Sequence, residues 1–205
     1  MNKYFDKAYC INLNKRIDRW NKAQQEFNKY NLVVERFPAI EGNIQNLETE
    51  ILPGNIGCVN SHLNIIKNAR KNNYKSVAVF EDDVEFKEDV LEKFEEYYKQ
   101  LPENWDMIYF GGNHNDREGE NTLIKISDNI YKVTKTYTTH AYIIKNTVYD
   151  EVIKLFSKYE HEVDVLYSEL QLKFNCYVFR PHLAWQRADF SDIMNTYADY
   201  TSILK

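Results

Sequence analysis

Ser76-Val77-Ala78-Val79-Phe80-Glu81-Asp82-Asp83 is the stretch whose reading decides the fold. A short apolar run set between polar residues reads as a strand buried on both faces. It ends abruptly in three consecutive acids, at the point where a strand of an open α/β sheet delivers side chains to a ligand.

Reading outward from this run, strands and helices alternate. Upstream, Ala8 to Leu13 is a second short apolar run. The segment Lys15 to Tyr30 follows, with Ile17, Trp20, Ala23 and Phe27 at helical intervals. A strand fits Leu32 to Pro38 and leads to a turn at Gly42. Residues 43 to 55 read as a loop closed by Pro53-Gly54. Ile56 to Asn72 reads as a helix, with Ile56, Val59, Leu63 and Ile66 on one face. Downstream, the spacing predicts a helix over Glu88 to Leu101 and a strand over Trp105 to Phe110, which ends at Gly111-Gly112. Such alternation predicts an α/β domain with a mainly parallel sheet. The second part is less periodic: a polar loop at Asn113 to Asn121, strands within Leu123 to Lys135 and at Thr139 to Lys145, and a helix over Asn146 to Tyr159. A short helix over Asp164 to Leu172 and a strand over Cys176 to Phe179 complete it. No repeat or low-complexity linker divides residues 1–205. One domain is expected, with its first half ending near residue 112 and its second running over 113–205.

Composition narrows the function. The formal net charge is -5, with acidic and basic residues interspersed. Nucleic acid is therefore not the expected partner, since phosphate-backbone binding needs clustered Lys and Arg. Cys10, Cys58 and Cys176 form no CxxC pair, which argues against a disulfide framework or a zinc site. No signal peptide and no membrane-spanning run is evident, so a cytoplasmic location is expected, with peripheral membrane contact left open.

Three adjacent carboxylates repel one another and raise each other's pKa. A hard divalent ion, Mn²⁺ or Mg²⁺, relieves that repulsion and bridges to a diphosphate. The plainer alternative is that Asp82 or Asp83 caps the next helix. The flanking residues favour the first reading. Cys10-Ile11-Asn12-Leu13-Asn14-Lys15-Arg16-Ile17-Asp18-Arg19, Phe37-Pro38-Ala39-Ile40-Glu41-Gly42, Gly57 to His62, Val79 to Asp83, Thr138 to Tyr142, Val163-Asp164, Pro181 to Gln186 and Ser191-Asp192 occur in this order. Together they resemble the glycosyltransferase family 25 enzymes, over about residues 8 to 193.

The resemblance implies a GT-A type fold, a mixed and mainly parallel central sheet flanked by helices. It implies an inverting transfer of a hexose, galactose or glucose, from a UDP-sugar with Mn²⁺ (or Mg²⁺), onto a saccharide, a lipid-linked glycan or a protein. It places Asp83 and Glu81 on the metal and Glu81 or Asp82 at the donor ribose. Asn12 to Arg19 would form part of the nucleotide pocket. Arg16 and Arg19 would pair with phosphate or base there, or one would be a plain helix-surface arginine. Ala39, Glu41 and Gly42 would lie near the uracil or ribose, with Ser61 and His62 on the following helix. His62 reads as a satisfied core or supporting histidine in preference to a catalytic one, and His140 equally as a donor-sugar contact or a packing residue. Inversion needs a base for the acceptor hydroxyl. Asp164 is the first candidate and Asp192 the second, while His182 is a candidate to complete the metal shell. The loop 113–121 and the aromatics Trp185, Phe190, Tyr197 and Tyr200 are expected at the acceptor. Three rivals remain: a metal-dependent nucleotidyltransferase, which the absence of glycine in Asn12 to Arg19 disfavours, a non-catalytic nucleotide-sugar binder of the same fold, and an oligomeric structural protein, for which no residue specifies an interface.

Overall fold

A computed structural model describes residues 1–42, 51–114 and 122–204. The chain builds an eight-stranded mixed sheet of order β2-β1-β3-β10-β5-β11-β8-β7. These strands are β1 (Lys7–Asn12), β2 (Glu35–Pro38), β3 (Ser76–Glu81), β5 (Met107–Tyr109), β7 (Leu123–Lys125), β8 (Ile130–Val133), β10 (Ala141–Lys145) and β11 (Cys176–Phe179). The pairings give six strands one common direction, with β8 and β10 running against them. This is the mixed, mostly parallel sheet expected, with helices on both faces.

The period of two along each central strand fixes those faces. Tyr9 and Ile11 of β1, Val77 and Val79 of β3, and Tyr142 and Ile144 of β10 enter one core. They pack there with α2 (Pro53–Lys71), α4 (Tyr149–Phe156) and α5 (Val163–Gln171). Ala8, Cys10, Ala78, Phe80, Ala141 and Ile143 enter the other, with α1 (Ile17–Lys29) and α3 (Val90–Tyr98). The second core is rich in rings: Phe80, Phe86, Phe94, Phe110 and Phe179 meet edge-on or stacked at centroid distances of 5.4 to 6.2 Å.

Several boundaries differ from the sequence reading. Helix α2 begins at Pro53, three residues before the expected Ile56, because proline at the first helical position has no N–H to leave unpaired. Of the expected loop 43–55, residues 43–50 lie outside the described residues. The inward face of α1 is Arg19, Ala23, Glu26 and Phe27, while Ile17 is exposed. Both charged residues on that face have partners: Glu26 Oε1 accepts from the Phe86 amide at 2.9 Å, and Arg19 meets the acids at the end of β3. Glu81-Asp82-Asp83 is not followed directly by a helix. A tight turn at Asp82-Asp83 leads into β4 (Val84–Phe86), so those acids do not cap α3, whose N-cap is Asp89.

The aperiodic tail forms β12 (Ala184–Gln186), paired with β4, then the hairpin β13 (Asp189–Ser191) and β14 (Thr196–Ala198), then α6 (Thr201–Leu204). A further short pair joins β6 (Asn113–His114) to β9 (Thr136–Tyr137). Among the described residues no helix is long and apolar enough to cross a membrane.

Candidate active site

The sheet topology assembles one edge. Ile11 of β1 lies beside Glu81 of β3, and Asn12 lies beside Pro38 of β2, so three parallel strands end together. Because β10 runs the other way, its beginning reaches the same edge, where the Glu81 amide donates to the His140 carbonyl at 2.9 Å. Strand β12 adds a further segment: Gln186 pairs with Val84, and the Arg187 amide donates to the Asp83 carbonyl at 2.7 Å. Over this edge opens a cavity of about 610 Å³.

Asp83 and Asp82 share one guanidinium. Arg19 Nη2 stands 2.5 Å from Asp82 Oδ1 and 3.0 Å from Asp83 Oδ2, and Arg19 Nη1 donates to the Phe190 carbonyl at 3.0 Å. Asp82 Oδ2 accepts from Asn12 Nδ2 at 2.5 Å. The second oxygen of Asp83, Oδ1, is buried with no partner. Burial, with the charges of Glu81 and Asp82, pushes the Asp83 carboxyl up to about 7 despite Arg19. Burial also raises Asp82, against the pull of Arg19 and Asn12. Glu81 behaves differently. Burial opposes its charge, yet the His62 ring and the Thr139 hydroxyl outweigh it and hold the carboxyl below its ordinary value. Thr139 Oγ1 donates to Glu81 Oε1 at 2.6 Å, and His62 Nε2 lies 3.7 Å from the same oxygen. His62 Nδ1 meets the Tyr142 hydroxyl at 2.8 Å, which in turn meets Tyr167 at 2.9 Å. His62 is thus a buried histidine that backs Glu81 at the cavity floor.

Asp164 lines the cavity in the first turn of α5. Its Oδ1 accepts from its neighbour Val165 at 2.9 Å and its Oδ2 from the Thr138 amide at 3.3 Å, and burial raises its carboxyl against both bonds. The N-cap position belongs to Glu162, not Asp164. Thr138 sits at φ 75°, a strained conformation for a β-branched residue. Such strain collects at ligand sites.

Ala39, Glu41, Gly42, Ser61 and Asp192 also line the cavity. Ser61 acts on the backbone: its Oγ donates to the Gly57 carbonyl at 2.7 Å and accepts from the Ile40 amide at 2.9 Å. A Cβ on Gly57 would stand 2.3 Å from the Ile40 carbonyl oxygen, so the chain after β2 is pressed onto α2. Gly57→Ala is expected to destabilise the fold by about 1–3 kcal/mol in urea denaturation. An unchanged midpoint would show that this contact opens freely.

Other candidates fall elsewhere. Arg16 does not line the cavity; it pairs with Asp18 at 3.0 Å and with Asp192. Asp192 is therefore held by Arg16, and by Lys15 at 3.8 Å, rather than standing free. His140 is buried behind the cavity, with Nε2 donating to the Ala184 carbonyl at 3.2 Å, which makes it a packing residue. His182 does not join the acids. Its Nδ1 donates to the Leu204 carbonyl at 2.8 Å, and its Nε2 faces His114 Nε2 at 2.9 Å and Arg180 at 3.1 Å. Burial lowers it to about 4, and the guanidinium beside its Nε2 is no setting for a metal ion. Of the aromatics, Phe190 and Tyr200 reach the cavity; Trp185 instead donates to Glu85 at 2.9 Å, and Tyr197 is exposed on β14. Asn113 lines the cavity, while residues 115–121 lie outside the described residues.

Sequence reasoning missed Arg187. Its Nη2 donates to the Asp82 carbonyl at 3.2 Å and lies 3.5 Å from Asp189, and its Nε is buried without a partner. The Nε of Arg19 is in the same condition. No motif signals Arg187, because its place is set by the β4–β12 pairing alone.

This arrangement meets its family match over residues 5–167, which fit glycosyltransferase family 25 (LPS biosynthesis protein). The chain belongs to that family. A glycosyltransferase 25 family member of Anopheles gambiae is 31% identical over 165 residues, covering 66% of this chain and 26% of that protein. The human procollagen galactosyltransferase 2 is 25% identical over 163 residues, covering 68% and 26%. The human inactive glycosyltransferase 25 family member 3 is 26% identical over 163 residues, covering 69% and 27%. The chain thus spans about a quarter of the length of these relatives.

Proposed function

We propose that this family 25 chain is an inverting, metal-dependent glycosyltransferase that moves a hexose from a UDP-sugar to a hydroxyl of a glycan or protein. One observation carries the reading. Three residues of the cavity lining carry buried orphan atoms of opposite kinds: Asp83 a carboxylate oxygen, Oδ1, and Arg19 and Arg187 each a guanidinium Nε–H. An unpaired buried carboxylate oxygen calls for a cation, and unpaired buried N–H donors call for an anion. A divalent ion carrying a diphosphate answers both.

Asp83 is the side chain that fits the ion, because it alone of the three acids has a buried oxygen free. Among the described residues no three His, Cys, Asp or Glu side chains form a ready cage. That suits an ion of Mg²⁺ or Mn²⁺ type, bound by one or two carboxylates plus substrate phosphate and water. When bound, such an ion neutralises charge on the departing diphosphate. Arg19 and Arg187 place donors on the same phosphates. Asp82 takes the ribose hydroxyls, and the backbone at Ala39 to Gly42 borders the base. Asp164 accepts the proton of the acceptor hydroxyl as that oxygen attacks the sugar carbon. Its burial raises its proton affinity, as a base requires. Asp192 is the weaker candidate, since two cations already hold it. Phe190 and Tyr200 offer ring faces to a sugar.

The test is background hydrolysis of a panel of UDP-sugars with and without Mn²⁺. Metal-dependent UDP release from one donor is expected and names the sugar. No release, with no metal-dependent UDP binding, would leave a fold without the chemistry. UDP binding without turnover would instead place the chain with its inactive relative in behaviour.

A further inference from the structure

Behind the acids, outside the cavity lining, stands a residue to which neither the motifs nor the proposed reaction assigns a role. Arg36 of β2 stacks over the Trp20 ring, 5.6 Å from guanidinium carbon to ring centroid. Its Nε and Nη2 donate to Asn12 Oδ1 at 2.9 and 2.5 Å, and Nη2 also reaches the Leu13 carbonyl at 3.3 Å. On its other side, Asn12 Nδ2 donates to Asp82 Oδ2 at 2.5 Å and to the Arg16 carbonyl at 3.0 Å. Asn12 is 1% exposed, so water does not compete for these bonds.

The two ends of an amide are nearly the same size, and only partners decide which way it faces. Arginine has donors and no acceptor, and it is always charged. An arginine on one side therefore admits only the oxygen of Asn12, and the NH₂ group must face the other side. That group then bonds one oxygen of Asp82 while Arg19 holds the other, which fixes the plane of the carboxylate at the cavity wall. Without Arg36 the amide oxygen is left buried and unpaired, and rotation would set it against the carboxylate.

We propose that Arg36 is a positioning residue for the nucleotide: through Asn12 it orients Asp82 to accept the ribose hydroxyls of a nucleoside diphosphate. The proposal rests on the nucleotide-sugar reading of the site. Arg36 does not line the cavity and Asn12 does, so its effect on the nucleotide must pass through Asn12.

A double-mutant cycle on UDP affinity, read by calorimetry with Mn²⁺ present, tests this route. Arg36→Met and Asn12→Ala are each expected to weaken UDP binding about tenfold, with thermal denaturation showing both folded. The double variant is expected to bind no more weakly than Asn12→Ala alone. Arg36→Lys, which still presents only donors to Asn12, is expected to stay within about threefold of wild type. It keeps the proposal testable should Arg36→Met fail to fold. Losses that multiply in the double variant, an Arg36→Met affinity equal to wild type, or a tenfold loss in Arg36→Lys would each overturn the proposal while leaving the nucleotide reading intact. A wild type that binds no UDP would remove both.

Discussion

Replacing Asp83 by Asn is expected to cut transfer about a thousandfold and, at the same time, to stabilise the metal-free protein. The rate loss follows from removing the free carboxylate oxygen that would hold the ion, since charge stabilisation of a leaving diphosphate is worth several kcal/mol. The stability gain follows from proton linkage. In the fold the Asp83 carboxyl is pushed to about 7, against an ordinary value of 3.8. Between these values the folded protein keeps a proton that the unfolded chain has lost. The contribution of Asp83 to stability is therefore most favourable below about pH 4 and is lost as pH rises through 7. The slope is at most about 1.4 kcal/mol per pH unit. Asn keeps the shape without the charge. Urea denaturation in chelator at pH 5 and pH 8 should show the variant losing that slope and gaining about 1–2 kcal/mol at pH 8, as relief of a strained functional site does. A variant that still transfers sugar, or one with the slope of wild type, would remove Asp83 from this role.

The second large effect is expected at Asp164. Asp164→Asn preserves the size of the side chain and the bond that one oxygen accepts, from Val165 or from Thr138, while removing the proton acceptor. A general base contributes about 10²- to 10⁴-fold. The variant should lose turnover by that factor and keep UDP affinity within about twofold. An equal fall in UDP affinity would make Asp164 a structural prop for the strained Thr138 turn instead. The comparison at Asp192→Asn is informative, because breaking its contacts with Arg16 and Lys15 should affect the β13–β14 hairpin more than the chemical step.

Much of this site was legible because it lies at strand ends. The apolar run before Glu81 reads as a buried strand from composition alone, and parallel topology then carries its acids to the ligand edge. Asn12, Ala39 to Gly42 and Asp164 follow from the family motifs and do line the cavity. What escaped depends on pairing between distant segments. Arg187 reaches the acids only because β12 lies along β4, and a three-residue strand has too little sequence for a period to show. His182 looked available as a ligand, since nothing in the sequence reveals that a carbonyl from the tail meets its Nδ1. The inward face of α1 was misread for a related reason. Hydrophobic spacing rightly assigns Trp20, Ala23 and Phe27 to the sheet but adds Ile17, which is exposed, and it omits Arg19 and Glu26, which turn inward because each finds a partner there. A pattern of apolar residues cannot register a buried charge whose counter-charge lies some sixty positions away.

Strand β10 occupies the centre of the sheet, between β3 and β5. During synthesis, a ribosome that has released residues 1–112 has produced every acid of the triplet but not the strand that joins β3 to β5. Until Ala141 to Lys145 emerge, both strands present open edges, the kind of surface that recruits chaperones or other nascent chains. The half up to residue 112 is therefore no separable module. A polypeptide cut near residue 112 should lack the central seam of its sheet, and an exchange of second halves between relatives would have to carry this strand with it.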